Sequence, residues 1–159
     1  MLQSNGLDDE HYELRLMGNY PTMPHICQYH ESDLSFVTRW LERDGMYFFF
    51  EQGDEKEKLI IADHKSFHRP LRDQAVRFVA ASAGDTGVGE ALTTFRGRSR
   101  VLPSSVKVRD YDYGVPGLDV SGQAAVSSGR GEIHIHGMNF PTPADGARLA
   151  TVRAEELKA

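Results

Sequence analysis

Cys27-Gln28-Tyr29-His30-Glu31-Ser32-Asp33-Leu34-Ser35-Phe36-Val37-Thr38-Arg39-Trp40-Leu41-Glu42-Arg43-Asp44-Gly45-Met46-Tyr47-Phe48-Phe49-Phe50-Glu51 changes pattern three times within 25 residues. Ser32 can cap free backbone N–H groups, and Asp33 adds negative charge to a first helical turn. Leu34, Phe36, Val37, Trp40 and Leu41 then recur at helical spacing, which predicts a helix over 33–44. Gly45 supplies its stop. The aromatic run after Gly45 favours a strand. Gly53-Asp54 is a turn signal, and Leu59-Ile60-Ile61-Ala62 is the expected partner strand. A helix leading into a hairpin follows, with Trp40 and Phe36 expected to pack the helix on the hairpin.

Working outward, residues 1–10 are polar, acidic and patternless, and are expected to be loose. Tyr12, Leu14 and Leu16 alternate with charged residues, the period of a half-buried strand. Pro21 and Pro24 keep the next stretch extended, and Ile26–Tyr29 reads as a further short strand. Beyond the hairpin, 64–70 is a connector. Val76 and Phe78 flank Arg77 in a short strand, 80–90 is small and glycine-rich like an exposed loop, and 92–95 looks extended. Val106 and Val108 alternate with Lys107 and Arg109, whereas 118–130 reads as loop. Ile133 and Ile135 mark another strand. Thr142-Pro143 opens a second helix at 143–158, with Leu149, Ala150, Val152, Ala154 and Leu157 as its buried stripe. The fold class expected is mainly β or α+β, with antiparallel pairing. Its organisation is a loose segment 1–10, a strand-helix-hairpin module 11–66 and a segment 67–159 ending in a helix.

The chain has 159 residues, 40 % apolar and 26 % charged, a globular composition. Its longest uninterrupted apolar run, Met46 to Phe50, is far short of the ~20 residues of a membrane helix. One cysteine excludes an intrachain disulfide and a Cys-rich zinc site. The sequence opens without a Sec-type signal pattern. The net charge of −5 argues against a nucleic-acid surface. The charge is unevenly spread: Met1–Asp63 carries 5 basic and 13 acidic residues, His64–Tyr113 carries 9 and 5, and the remainder 4 and 5. The change of sign near His64 suits either a boundary between two units or complementary faces for head-to-tail association.

Several groups have the residue types for chemistry, and each has a plainer account. Glu132, His134 and His136 share one face of a strand at spacing that could hold a metal, but alternation alone explains them. Asp63, His64 and His68 form a second weak cluster in a loop context. Asp110 and Asp112 could divide acid and base work if buried, though nothing in the sequence shows burial. Cys27 with His25 and His30 could form a nucleophile pair, but an inert thiol is more common. Gly84-Asp85-Thr86-Gly87-Val88-Gly89 lacks the lysine and the strand-to-helix context of a phosphate loop. Arg96, Arg98 and Arg100, near Lys107 and Arg109, could meet phosphate or an acidic protein surface. No catalytic, cofactor or metal residue is assigned, and no cofactor is expected.

The stretch from Gln28 to Phe36, with Arg39, Leu41, Glu42, Gly45 and Tyr47–Glu51, resembles the VgrG family, the spike proteins of bacterial type VI secretion, also called Rhs element Vgr proteins. Leu59–Asp63 matches the aliphatic strand ending in Asp that follows in that family. Val106–Tyr113 with Pro116 resembles a second signature. The closing helix, with Arg148, Leu149, Arg153 and Glu155-Glu156-Leu157, also fits. The resemblance runs from about Tyr12 to the end. It implies a hub segment built on phage-tail-hub-like β-barrel domains, a homotrimer in the full-length protein, and seating on an inner tube of Hcp-type hexamers. It implies no enzyme. It further implies secreted effectors as partners of the machine, with assembly in the cytoplasm and export through the apparatus. The chain would be an internal piece of such a hub. Alternatives are a prophage tail hub of the late-control-D type, a metal-dependent hydrolase using His134 and His136, and a binding module built on the arginine stripe.

Overall fold

The computed structural model describes residues 1–23, 25–53, 56–70, 75–79 and 91–159. Contacts divide the chain into two units, Met1–Phe67 with Leu102–Ala159, and His68–Val101.

The larger unit holds two three-stranded sheets and two helices. The first sheet contains β1 (Tyr12–Arg15), β2 (Tyr47–Gln52) and β3 (Glu57–Ala62), with helix α1 (Asp33–Asp44) between β1 and β2 in sequence. Its strand order is β1-β3-β2. The second sheet contains β4 (Ser105–Arg109), β5 (Ser121–Ala125) and β6 (Glu132–His136), in the order β5-β4-β6, followed by helix α2 (Pro143–Lys158). The architecture is mixed α+β, with both helices at the residues expected. Neither sheet closes into a barrel among the described residues.

Several expectations need correction. The pairing is mixed rather than antiparallel: β1 runs parallel to β3, and β4 parallel to β6. A parallel neighbour needs a crossover connection, and α1 with its flanking loops fills that role in the first sheet. Ile26–Tyr29 forms no strand. Ser121–Ala125 is a strand and not loop. Its small residues carry no hydrophobic alternation because helix α2 lies directly on it. A Cβ on Gly122 would stand 2.1 Å from the Gly146 carbonyl carbon. Residues 1–10, patternless in sequence, carry a 3-10 turn at Gln3–Asn5.

Register explains which residues each sheet buries. In the first, Tyr12, Leu14, Phe48, Phe50, Leu59 and Ile61 share one face, and Glu13, Arg15, Tyr47, Phe49, Glu51 and Ile60 the other. In the second, Val106 and Val108 turn toward α2, where Leu149, Ala150 and Ala154 meet them beside Val120, Val126 and Phe140. This is the main core. Helix α2 starts on Thr142, whose hydroxyl accepts from the Asp145 N–H, with Pro143 at its first turn.

Helix α1 is capped by Ser32 as expected, and ends on Gly45 at φ 77°. It buries no residue completely. At about 100° per residue, Leu34, Leu41, Val37, Trp40 and Phe36 span one continuous arc of about 160°, whose two faces meet different neighbours. Leu34, Val37 and Leu41 line a groove over the hairpin with Phe48 and Phe50. Trp40 borders Arg43, Met138 and Asn139.

In the smaller unit, Phe78 and Leu92 form an isolated parallel bridge. Residues 93–101 have no regular structure. The arginine stripe is therefore exposed coil and not a strand face. The loop expected at 80–90, with its glycine run 84–89, lies outside the described residues, as do Pro24 and Asp54.

Candidate functional site, a clasp and a joint

The motif that dominates the sequence folds into a clasp at the start of α1. Gln28 Nε2 donates to the Glu31 carbonyl at 3.1 Å and to Asp33 Oδ1 at 2.8 Å. Asn5 Nδ2 reaches the other Asp33 oxygen at 2.9 Å. Arg39, two turns along the helix, returns a two-pronged pair to Glu31 at 2.6 and 3.1 Å. Its guanidinium also stands 5.4 Å from the Phe36 and Trp40 ring centres. Hydrogen bonds from Arg39 hold the Glu31 carboxyl below its usual range, and those from Gln28 and Asn5 do the same for Asp33. Gln28, Glu31, Ser32, Asp33, Phe36 and Arg39 thus form one structural device. Gln28, Glu31 and Asp33 make the hydrogen-bonded turn that leads into α1.

A second device joins the two sheets. Arg43 is only 12 % exposed. It donates to the Met138 carbonyl at 3.0 Å, to the Asn139 carbonyl at 2.9 Å and to Asp44 Oδ1 at 2.9 Å. Arg148 of α2 donates to the same Asp44 oxygen at 2.9 Å and lies over the Tyr20 ring. Tyr20 in turn donates its hydroxyl to Asp63. Asp63, at the end of β3, also accepts from the Met17 and Gly18 N–H groups. On the far side, Asp110 accepts from the Asn139 and Phe140 N–H groups. Asn139, at φ 58°, holds the left-handed turn that presents these groups. A continuous polar chain therefore runs from Asp63 through Tyr20, Arg148, Asp44 and Arg43 to residues 138–140 and Asp110. Burial pushes the Asp63 carboxyl up, but hydrogen bonds from Gly18, Met17 and Tyr20 outweigh it, leaving it below the usual range. Burial, aided by the Asp63 hydrogen bond, raises the Tyr20 phenol. Trp40 Nε1 and Arg148 Nε and Nη1 are buried here without a partner among the described residues.

The sequence candidates fall into these devices or beside them. Asp63 and His64 part company: Asp63 serves the joint, and His64 Nδ1 pairs with Ser66 Oγ. Asp110 accepts from backbone at the joint, and Asp112 accepts from the Gly114 N–H in a turn. Glu132 pairs with His134, and also accepts from Ser105 and Gln123. With His136 these residues occupy the face of β6 opposite Ile133 and Ile135. Cys27 is exposed, and its carbonyl accepts weakly from Arg39. Among the described residues, no three His, Cys, Asp or Glu side chains converge to hold a metal. No described helix is long and apolar enough to cross a membrane. Arg43, Asp44 and Tyr20 escaped the sequence reading. The helix pattern put Arg43 on its polar side, and only the paired Arg-Asp before the stopping glycine hinted at a use.

Among the described residues, these ion pairs and carboxylates are spent on backbone turns and on joining elements of the fold. The sequence model of the phage tail baseplate hub (GPD) family matches residues 2–159. The chain belongs to that family. It is 24 % identical over 152 residues to the type VI secretion system spike protein VgrG1c of Pseudomonas aeruginosa, covering 92 % of this chain and 21 % of that protein. It is 27 % identical over 143 residues to the spike protein VgrG5 of the same organism, covering 89 % and 18 %. To the spike protein VgrG4b it is 29 % identical over 119 residues, covering 74 % and 14 %. The chain spans 14 to 21 % of the length of these relatives.

Proposed function

We propose that this chain is a hub segment of a VgrG-type spike, structural and non-enzymatic, at the tip of a type VI secretion apparatus. The observation that carries the reading is the family match across residues 2–159, in which the motif residues serve as clasp and joint. In this reading the full-length protein is a homotrimer seated on an inner tube of Hcp-type hexamers. It assembles in the cytoplasm and leaves the cell with the apparatus. Exposed apolar residues on both units suit a segment that is covered by neighbours in an assembly. They include Leu34 and Phe50 in one unit and Phe95 in the other.

The test places Asp44→Ala, Arg43→Ala and their combination in the full-length protein, expressed in its own secretion-competent bacterium. Release of the tube protein into the medium should fall with the loss of the joint. Undiminished release from a strain lacking this segment altogether would refute the reading. If tube-protein release never depends on the gene but tailed particles do, the prophage hub takes its place.

A further inference from the structure

An apolar groove lies between α1 and the first sheet. Leu2, Leu34, Val37, Leu41, Phe48 and Phe50 are among the residues that line it. Its volume is about 240 Å³. An apolar cavity of about 150 Å³ accepts a benzene ring, so the groove has room for a phenyl side chain. The groove is not closed: Leu34 is 68 % and Phe50 51 % exposed. Asp33 stands at its wall, and Asp8, Asp9 and Glu10 follow directly after the lining residue Leu7. It sits in the part of the chain, Met1–Asp63, that holds 13 acidic and 5 basic residues.

A segment of opposite character lies in the smaller unit. Phe95 is 82 % exposed, in coil, and is followed by Arg96 and Arg98, both exposed. An aromatic side chain this exposed, followed by two guanidinium groups, complements an apolar groove with Asp33 at its wall. Coil needs no unfolding of a strand or helix before it docks.

We infer that the groove over α1 and the hairpin receives the Phe95-Arg96-Gly97-Arg98 segment of a second copy of this chain, with the phenyl ring in the groove and the arginines toward Asp33 at its wall. Groove and segment are different surfaces, so the contact is heterologous. Each copy donates one and accepts one, and repetition closes a ring or extends a chain. The phenyl ring supplies the affinity by burial, and the charges supply orientation and rate. The contact is argued from the two surfaces alone, so its failure leaves the spike reading to be decided by the secretion experiment.

The test uses a fluorescein-labelled peptide of residues 93–99, titrated with the full chain and followed by anisotropy. Saturable binding is expected, weakened at least tenfold by Phe95→Ser in the peptide, by Arg96→Glu with Arg98→Glu, and by Leu34→Asp in the chain. Leu34 is exposed, so circular dichroism of that variant should match the parent. A peptide that does not bind, or binds the Leu34→Asp chain as tightly as the parent, overturns the inference. A mixing experiment is independent of the peptide. A Phe95→Ser chain keeps its groove, and a Leu34→Asp chain keeps its segment. Together they should form a one-to-one complex by sedimentation velocity that neither forms alone. Absence of that complex also overturns the inference.

Discussion

Gly122→Ala tests the placement of α2 on the second sheet. The new Cβ would lie 2.1 Å from the Gly146 carbonyl carbon, 2.2 Å from its oxygen and 2.3 Å from the Ala147 nitrogen. All three are backbone atoms, so no side chain can swing aside. Restoring an ordinary contact of 3.4 Å requires α2 and β5 to separate by about 1.3 Å at this point. Gaps of 0.5–1 Å already forfeit a quarter to a half of a contact's attraction. Leu149 and Ala150, both fully buried, lie one turn along the helix and would feel the gap. Overpacking costs about 1–3 kcal/mol, and loosening Leu149 costs about 1 kcal/mol more, taking half of a buried leucine's transfer term. Against this, alanine gains about 0.5–1 kcal/mol over glycine by restricting the unfolded chain. The net loss is about 2–3 kcal/mol, or roughly 4–12 °C in Tm for a domain of this length. Urea unfolding followed by Trp40 fluorescence measures it, with Gly97→Ala as control. Nothing lies within 4 Å of a Cβ at Gly97, so that variant should stay within about 0.5–1 kcal/mol of the parent. A Gly122→Ala midpoint equal to the parent's, with unchanged slope, would refute the close crossing of helix and strand.

Asp44→Ala removes the acceptor shared by Arg43 and Arg148 and should cost about 2 kcal/mol in urea unfolding, more than Asp44→Asn, and an equal or smaller loss for the alanine would contradict the joint. Trp40→Phe should cost under about 1 kcal/mol, because the indole N–H has no partner among the described residues, whereas Trp40→Ala should cost about 3 kcal/mol through lost packing; thermal melts compare the two, and equal losses would place a hydrogen bond on the indole. The Asp63 carboxyl is held below its usual range, so the fold favours its ionised form; its contribution is present above the unfolded value of about 3.9 and is lost as pH falls through the folded value. Urea midpoints between pH 7 and pH 2 should therefore fall less steeply on acidification in Asp63→Asn than in the parent, and parallel curves would remove Asp63 from the joint.

What the sequence reveals here follows the range of the interactions. Ser32, Gly45, Thr142 and Pro143 mark helix ends because capping is settled within four residues of chain. Both helices were therefore legible to their boundaries. Only part of the clasp is that local: Gln28, Glu31, Asp33 and Arg39 lie within twelve positions, whereas Asn5 reaches Asp33 from 28 positions away. β5 was not legible. Its sequence Ser-Gly-Gln-Ala-Ala lacks alternation because closeness to α2 requires small residues there, and that requirement comes from Gly146, 24 positions away. The joint was hidden likewise. Arg43 reaches residues 138 and 139, and Asp44 reaches Arg148, across about a hundred positions that spacing cannot relate. The surroundings of Trp40 were hidden for the same reason: at about 100° per residue the five apolar residues form one arc of about 160°, and distant residues such as Met138 and Asn139 distinguish its two faces.

Those two faces explain why α1 bears the dense motif. A helix with no fully buried residue gains little from its own core, and at twelve residues it would be marginal alone. It is held instead at its ends: by the clasp at Ser32 and Asp33, and by the joint at Arg43 and Asp44. Fixing a short helix by polar contacts at both termini leaves part of its apolar side, Leu34 above all, exposed. In an isolated globular domain such an arrangement would waste burial. In the proposed spike, neighbours would cover this surface, and an apolar surface positioned beforehand lowers the entropy that docking must overcome. The same logic accounts for the polar character of the joint. An apolar contact between the two sheets would tolerate sliding. The Asp44 carboxylate shared by Arg43 and Arg148 fixes the distance between α1 and α2.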